Sequence, residues 1–282
     1  MPIVALPKAR RALSLVRWVT CICWICCTLP VLAVRSDQRW QQTHLTETEG
    51  DTTVAIAPAH APRHRRRQHG HLALVAQSAV LAGFAALATA AHWVRADGPD
   101  VWVTDRLQRL HRFRTPLQAV SWPGYPPQNS ITFGTLSLAV FALGYRTQAA
   151  FLLGSAAGGG ALVVAVKTVV GRPRPLAPQV QVLRHVGGYS FPSAHVVSYV
   201  SGFGFLAYLA GIDLSSPVLR ALIIGPCLVL LLLIGPSRIY MGAHWTSDVL
   251  GAYLLGGLWL SVLLRAYVAW LDREGIGALW KS

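Results

Sequence analysis

The sequence predicts an all-α, polytopic membrane protein: a bundle of six transmembrane helices with an amphipathic helix lying at the interface. Three observations carry this. The 282 residues are 53% hydrophobic and only 13% charged, a balance that suits a membrane protein better than a soluble domain. The apolar residues gather into six long runs, near the ~20 residues that cross a hydrocarbon core. Between the first two runs lies a stretch with leucines at helical spacing and arginines opposite them.

Residues 1–70 are unlike the rest. "KARRALSLVRW" is basic, and "VTCICWICCTLPVLAV" is apolar but short and broken by Pro30. This pattern reads as a signal-like or extra membrane segment. A polar, disordered linker follows, ending in the basic cluster Arg63 to His71, which reads as a positive-inside anchor rather than a nucleic-acid site. Four cysteines sit in "CICWICC", and Cys227 lies in another apolar run. None has a zinc-site setting, and they predict packed or lipid-facing thiols.

The six predicted spans are Leu72–Val94, Ile131–Tyr145, Ala149–Val166, Ala194–Ala210, Val218–Ile234 and Trp245–Trp270. The second is short. The domain they form covers residues 71–272, with 273–282 as a tail. The interfacial helix is expected over Val101–Val120, its apolar face made by Val103, Leu107, Leu110 and Leu117. "GSAAGGG", Gly154 to Gly160, superficially resembles a phosphate loop. It lacks a following Gly-Lys-Ser/Thr and sits inside a span, so close helix packing is the better reading.

Charge is distributed unevenly. The net charge is +14, with lysine only at positions 8, 167 and 281. No acid lies between Asp105 and Asp213, and only Asp248 lies between Asp213 and Asp272. Lys167, Arg172, Arg174, Arg184 and Arg238 fall inside those windows. Too few carboxylates are present to neutralise them, so an external anion is a natural partner. Span parity puts the chain ends on one membrane side. It puts "KTVVGRPRP", "YSFPSAH" and "SRIYMGAHWTSD" together on the other.

Each segment suggests a role. Prolines stiffen the loop carrying Arg172 and Arg174. Pro192 and Ser193 suit a predicted helix start, where free N–H groups favour anions and His195 would sit one turn in. His244 and Asp248 are spaced i, i+4 and are expected to share a helix face. A carboxylate so placed holds one imidazole N–H and leaves the other nitrogen free to attack.

These residues resemble the three signatures of the type 2 phosphatidic acid phosphatase (PAP2) superfamily. Lys167, six residues, then Arg174-Pro175 is similar to the first. "PSAH", Pro192 to His195, is similar to the second. Ser237-Arg238, five residues, His244, three residues, then Asp248 matches the third. The wider resemblance, to the bacterial six-span lipid phosphatase branch, covers about residues 71–272. One departure is Ala194, where the family most often has glycine.

The resemblance implies a lipid phosphatase without a metal or other cofactor, acting on a lipid phosphate in a cell membrane, with its active site extracytoplasmic. By matching position, it implies that His244 attacks phosphorus, Asp248 orients it, and His195 protonates the leaving oxygen and then activates water. Lys167, Arg174, Ser193, Arg238 and the Ala194 N–H would bind the phosphoryl oxygens. The lipids in view are phosphatidic acid, phosphatidylglycerol phosphate and undecaprenyl pyrophosphate. The alternatives are a lipid phosphotransferase and a non-catalytic lipid-binding or transport protein. Related sphingolipid synthases lack the lysine–arginine signature, and a non-catalytic protein leaves the three motifs unexplained.

Overall fold

The computed structural model describes residues 63–94 and 98–273, with side chains described from 74 onward. The readings made on residues 1–62, on the "CICWICC" cysteines and on the tail from 274 to 282 lie outside the described residues. The regular structure of the described residues is all helical, with eight α-helices and a long loop over 171–193. They are α1 (Arg63–Trp93), α2 (Gly98–Gln108), α3 (Arg114–Ser121), α4 (Gln128–Ala142), α5 (Arg146–Val170), α6 (Ala194–Asp213), α7 (Pro217–Tyr240) and α8 (Thr246–Arg273). The chain divides into two compact units. Leu81–Tyr267 is the larger. Of the smaller, residues 63–80 and 268–273 are described, and these are helical.

Among the described residues five helices are long and apolar enough to cross a membrane: Leu74–Trp93 within α1, and α5, α6, α7 and α8. The run expected as the second span forms α4, which has 15 residues. At 1.5 Å per residue it is ~22 Å long, short of the ~30 Å hydrocarbon core. The expected count of six is thus five by this measure. The loss comes from Gly144, whose φ of 92° turns the chain just after α4 ends.

Helix α6 is the centre of the larger unit. It packs against α5 and α7, and most of its side chains are buried. Small residues bring the neighbours close. Gly159 lies against Ser201 and Val197 of α6, and Gly256 of α8 lies against Val200. Gly158 faces the Trp259 ring, whose Nε1 donates to the Ser155 carbonyl at 2.9 Å. "GSAAGGG" is therefore a packing surface, as its sequence suggested. Cys227 is a buried free thiol in α7.

The segment 98–124 departs from the sequence reading. One interfacial helix was expected. Instead α2 stops at Gln108, a 3-10 turn spans His111–Phe113, α3 follows, and a second 3-10 turn covers Trp122–Gly124. Pro116 accounts for the break. Its ring would clash with the Arg112 carbonyl in a continuous helix, but it is tolerated in the first turn of α3. The buried face of α2 is also polar: Asp100, Thr104 and Gln108 point inward. Leu110 is exposed, while Leu117 is buried with Tyr240, Met241 and Ala243, and Leu107 packs against them. Leu107 and Leu117 thus serve the protein core, whereas Trp102, Phe113 and Trp122 are exposed along with Leu110.

Candidate active site

Helix ends deliver every residue singled out from the sequence. Helix α5 ends at Gly171, whose φ of 64° lets its N–H bond the Lys167 carbonyl at 2.9 Å. Lys167 therefore sits in the last turn. Its Nζ donates to the carbonyls of Tyr189 and Ser190. Beyond the turn, Arg174 donates through Nε to the carbonyls of Gly187 (3.2 Å) and Gly188 (3.1 Å), and through Nη1 to Ala243 (2.7 Å).

Ser193 is the N-cap of α6, and its hydroxyl does not cap the helix. Its Oγ is buried without a hydrogen-bond partner. Ala194 is the first helical residue and follows an N-cap with ordinary extended dihedrals. Nothing in that turn calls for glycine, so alanine keeps the backbone N–H at no conformational cost. His195 is buried, with Tyr125 edge-on to its ring at 4.6 Å. Gly124 presses so closely on the imidazole that a side chain there would collide with it.

Arg238 lies in the last turn of α7 and is fully buried. Its Nη1 donates to Ser121 Oγ (3.1 Å) and Tyr125 Oη (2.8 Å). Its Nε and Nη2 have no partner among the described residues. The segment 114–125 thus forms a wall of the site. Ser237 Oγ also donates to the Leu117 carbonyl at 2.5 Å, and Tyr199 Oη donates to that of Val120 at 2.7 Å.

His244 and Asp248 do come together, but not on one helix face as expected. α8 begins at Thr246, so His244 precedes it in a tight turn. Gly242 makes that turn possible. Its φ is 62°, and a Cβ there would strike the Gln181 carbonyl. Asp248, in the first turn of α8, reaches back to accept the Trp245 N–H at 2.9 Å, as the acidic member of a capping box does. This places its Oδ2 3.6 Å from His244 Nδ1, close enough for charge but too long for a hydrogen bond. The other nitrogen, Nε2, lies 3.2 Å from Arg174 Nη1. A guanidinium only donates, so Nε2 is the acceptor nitrogen and the ring proton sits on Nδ1, towards Asp248.

Electrostatics fit that tautomer. Burial, then the facing charges of Arg174, Arg238 and Lys167, hold His244 well below the usual imidazole range. The ring is neutral, with a lone pair on Nε2. Burial and the like charge of Arg238 push Arg174 down to about 10, which leaves it charged at neutral pH. Among the described residues no group of three or more His, Cys, Asp or Glu side chains could hold a metal ion.

Sequence reasoning missed a layer behind these residues. Arg172 is almost wholly buried and bridges two carboxylates. Its Nη1 donates to Asp248 Oδ1 (2.7 Å) and Ser247 Oγ (2.7 Å), and its Nη2 to Asp100 Oδ2 (2.8 Å). Tyr125 and Ser121, which hold Arg238, were missed too. The one available signal was the scarcity of acids, which made Asp100 conspicuous.

Residues 148–272 match the PAP2 superfamily. All three motif segments, from Lys167 to Asp248, fall within that stretch. Lipid phosphate phosphatase delta of Arabidopsis thaliana is 25% identical over 130 residues, 42% of this chain and 31% of that protein. The match thus spans about a third of that relative's length. The fold is similar to the crystal structure of a transmembrane PAP2-type phosphatidylglycerolphosphate phosphatase from Bacillus subtilis. The TM-score is 0.58 at 21% identity, covering 67% of this chain and 94% of that one. That likeness concerns the fold.

Proposed function

We propose that this protein is an integral membrane lipid phosphatase that hydrolyses a lipid phosphate monoester or diphosphate through a phosphohistidine. The carrying observation is a set of buried donors with no partner among the described residues, Arg238 Nε and Nη2 and Ser193 Oγ, in a cluster with a neutral histidine. A buried guanidinium left half-satisfied is costly, and a phosphoryl group supplies the acceptors it lacks.

The lone pair of His244 Nε2 attacks phosphorus, and the bond to the lipid oxygen breaks. That oxygen takes a proton from His195 and leaves as the lipid alcohol, or as the lipid monophosphate when the substrate is a diphosphate. Phosphoryl oxygens replace the imidazole as acceptors for Arg174. Lys167, Arg238, Ser193 and the Ala194 N–H complete the clamp and stabilise the charge of the transition state. Asp248 balances the positive charge that His244 gains. In the second step His195 takes a proton from water, the hydroxide attacks phosphorus, and His244 leaves as neutral imidazole. Fixed cations here perform the charge neutralisation that magnesium supplies in many phosphoryl transfers, so no metal is required.

The substrate classes are phosphatidic acid, phosphatidylglycerol phosphate and undecaprenyl pyrophosphate. The active face is extracytoplasmic and the C-terminus cytoplasmic, an assignment that takes α4 as a crossing and that the family resemblance and the basic cluster at the start of α1 support. Single cysteines introduced at Gln179 and Ser282 should label from opposite sides.

The test is phosphate release by purified full-length protein in vesicles containing each lipid in turn, with and without chelator. Release from at least one lipid, insensitive to chelator and blocked by vanadate, is expected. No release from any, or activity that requires added magnesium, overturns the proposal.

A further inference from the structure

Asp100 and Arg172 lie 72 residues apart in the chain, yet they form a buried ion pair at 2.8 Å directly behind Asp248. Both side chains are at most 3% exposed. Asp100 does more than pair with Arg172. Its Oδ1 accepts the Ser247 N–H at 2.9 Å and its Oδ2 accepts the Ser247 hydroxyl at 2.6 Å. Ser247 Oγ in turn accepts from Arg172 Nη1, the same nitrogen that donates to Asp248 Oδ1. A closed ring therefore runs through Asp100, Arg172 and Ser247, with Asp248 attached to it.

Geometry gives the ring a direction. One oxygen of Asp248 is fixed by Arg172 and the other by the Trp245 N–H, and the second faces His244 Nδ1. The carboxylate has no freedom to turn away from the imidazole. Asp100 also fixes the first turn of α8, because it holds a backbone N–H next to Asp248. Its charge matters as well as its shape. Arg172 alone would neutralise Asp248 one to one and leave little field at His244. Sharing Arg172 with a second carboxylate draws part of its charge away from Asp248, and the Asp248 charge that this leaves favours a positively charged His244.

We propose that Asp100 and Arg172 are positioning residues for the reaction at His244: they hold and charge the carboxylate that aims it. This rests on the phosphohistidine reading above. Neither residue is expected to touch substrate, so the prediction is a loss in kcat with KM preserved. Outer partners of an active group commonly contribute on the order of 10- to 100-fold.

The experiment uses the full-length protein in vesicles, assayed for phosphate release and for the rate of phosphoenzyme formation. Asp100→Asn keeps the shape and removes the charge. It should lower kcat on the order of 10-fold or more at unchanged KM, and slow phosphoenzyme formation equally. Asp100→Glu should recover part of the loss, because it restores the charge. Ser247→Ala keeps both charges and opens the ring, and should show a smaller loss with the same KM. Wild-type kcat in both Asp100→Asn and Ser247→Ala overturns the proposal. So does an Asp100→Asn variant that fails to fold together with an undiminished kcat in Ser247→Ala. A wild-type protein that releases no phosphate from any lipid refutes the phosphatase reading itself, a separate result.

Discussion

Among the described residues two arginines are buried, and their surroundings are opposite. Arg172 is enclosed by acceptors: two carboxylates and a hydroxyl take its Nη groups. Arg238 has one hydroxyl and one phenol on a single nitrogen, a tyrosine ring 5.0 Å away, and no carboxylate paired with it among the described residues. Burying a charge is costly unless it is paired. Arg172 meets that requirement within the protein, whereas Arg238 does not. The difference separates a residue that holds the site together from one held ready for an anion. It also shows that counting cations, which is all the sequence permitted, cannot distinguish the two.

The largest expected effect falls where the two regions meet. His244→Ala should remove turnover altogether, since no other group occupies the attacking position. Turnover within 10-fold of wild type would mean that the nucleophile lies elsewhere.

Next comes the contrast itself. Arg238→Met should lower kcat by about 10²- to 10³-fold, the usual consequence of losing a donor to a transition-state oxyanion. Stability should hold or rise, because a poorly compensated buried charge is gone. Arg172→Met should instead destabilise the fold by about 3–5 kcal/mol, because it removes the guanidinium that two buried carboxylates share. Denaturant unfolding in detergent micelles measures both. Equal stability losses would erase the distinction.

A smaller effect concerns pH. His244 is held well below 6.5, so it stays neutral where a free imidazole takes up a proton. Nitrogen-15 NMR of histidine-labelled protein, with the signal assigned by its loss in His244→Ala, should show a neutral ring from pH 7 to pH 5. The unfolded chain does bind that proton, so stability should fall as pH drops below 6.5. The slope from this group is at most about 1.4 kcal/mol per pH unit. A ring titrating near 6.5 would contradict the electrostatic account.

The smallest effect is expected on the outer surface. Arg106 and Arg112 are exposed, and Arg109 is paired with Asp105 at 2.6 Å. Replacing Arg106 and Arg112 with glutamine should change turnover of a short-chain, water-soluble substrate by less than about twofold, since exposed charges act weakly. A larger loss would show that this surface shapes the pocket.

Much of the site was legible because it is built at helix ends, and apolar runs reveal where helices end. Lys167, Arg174, Ser193, His195, Arg238, His244 and Asp248 gather as span parity required. The layer behind them was hidden. The Asp100–Arg172 pair joins residues 72 apart, and no local periodicity records such a contact. The wall at 114–125 was misjudged because leucine spacing suggested one amphipathic helix, while Pro116 breaks it and turns Leu117 inward. His244 and Asp248 were paired correctly for the wrong reason: a reach-back at the start of α8 joins them, not a shared helix face.

The central claim, that His244 is the group that carries the phosphoryl, is tested most directly by rapid quenching. Purified protein is mixed with a lipid phosphate labelled in its terminal phosphoryl group, quenched under alkaline conditions, digested and mapped. The account predicts label on His244, formed no slower than phosphate release, and absent from His244→Ala. Label on another residue, or turnover with no covalent label in either wild type or His195→Ala, would contradict it.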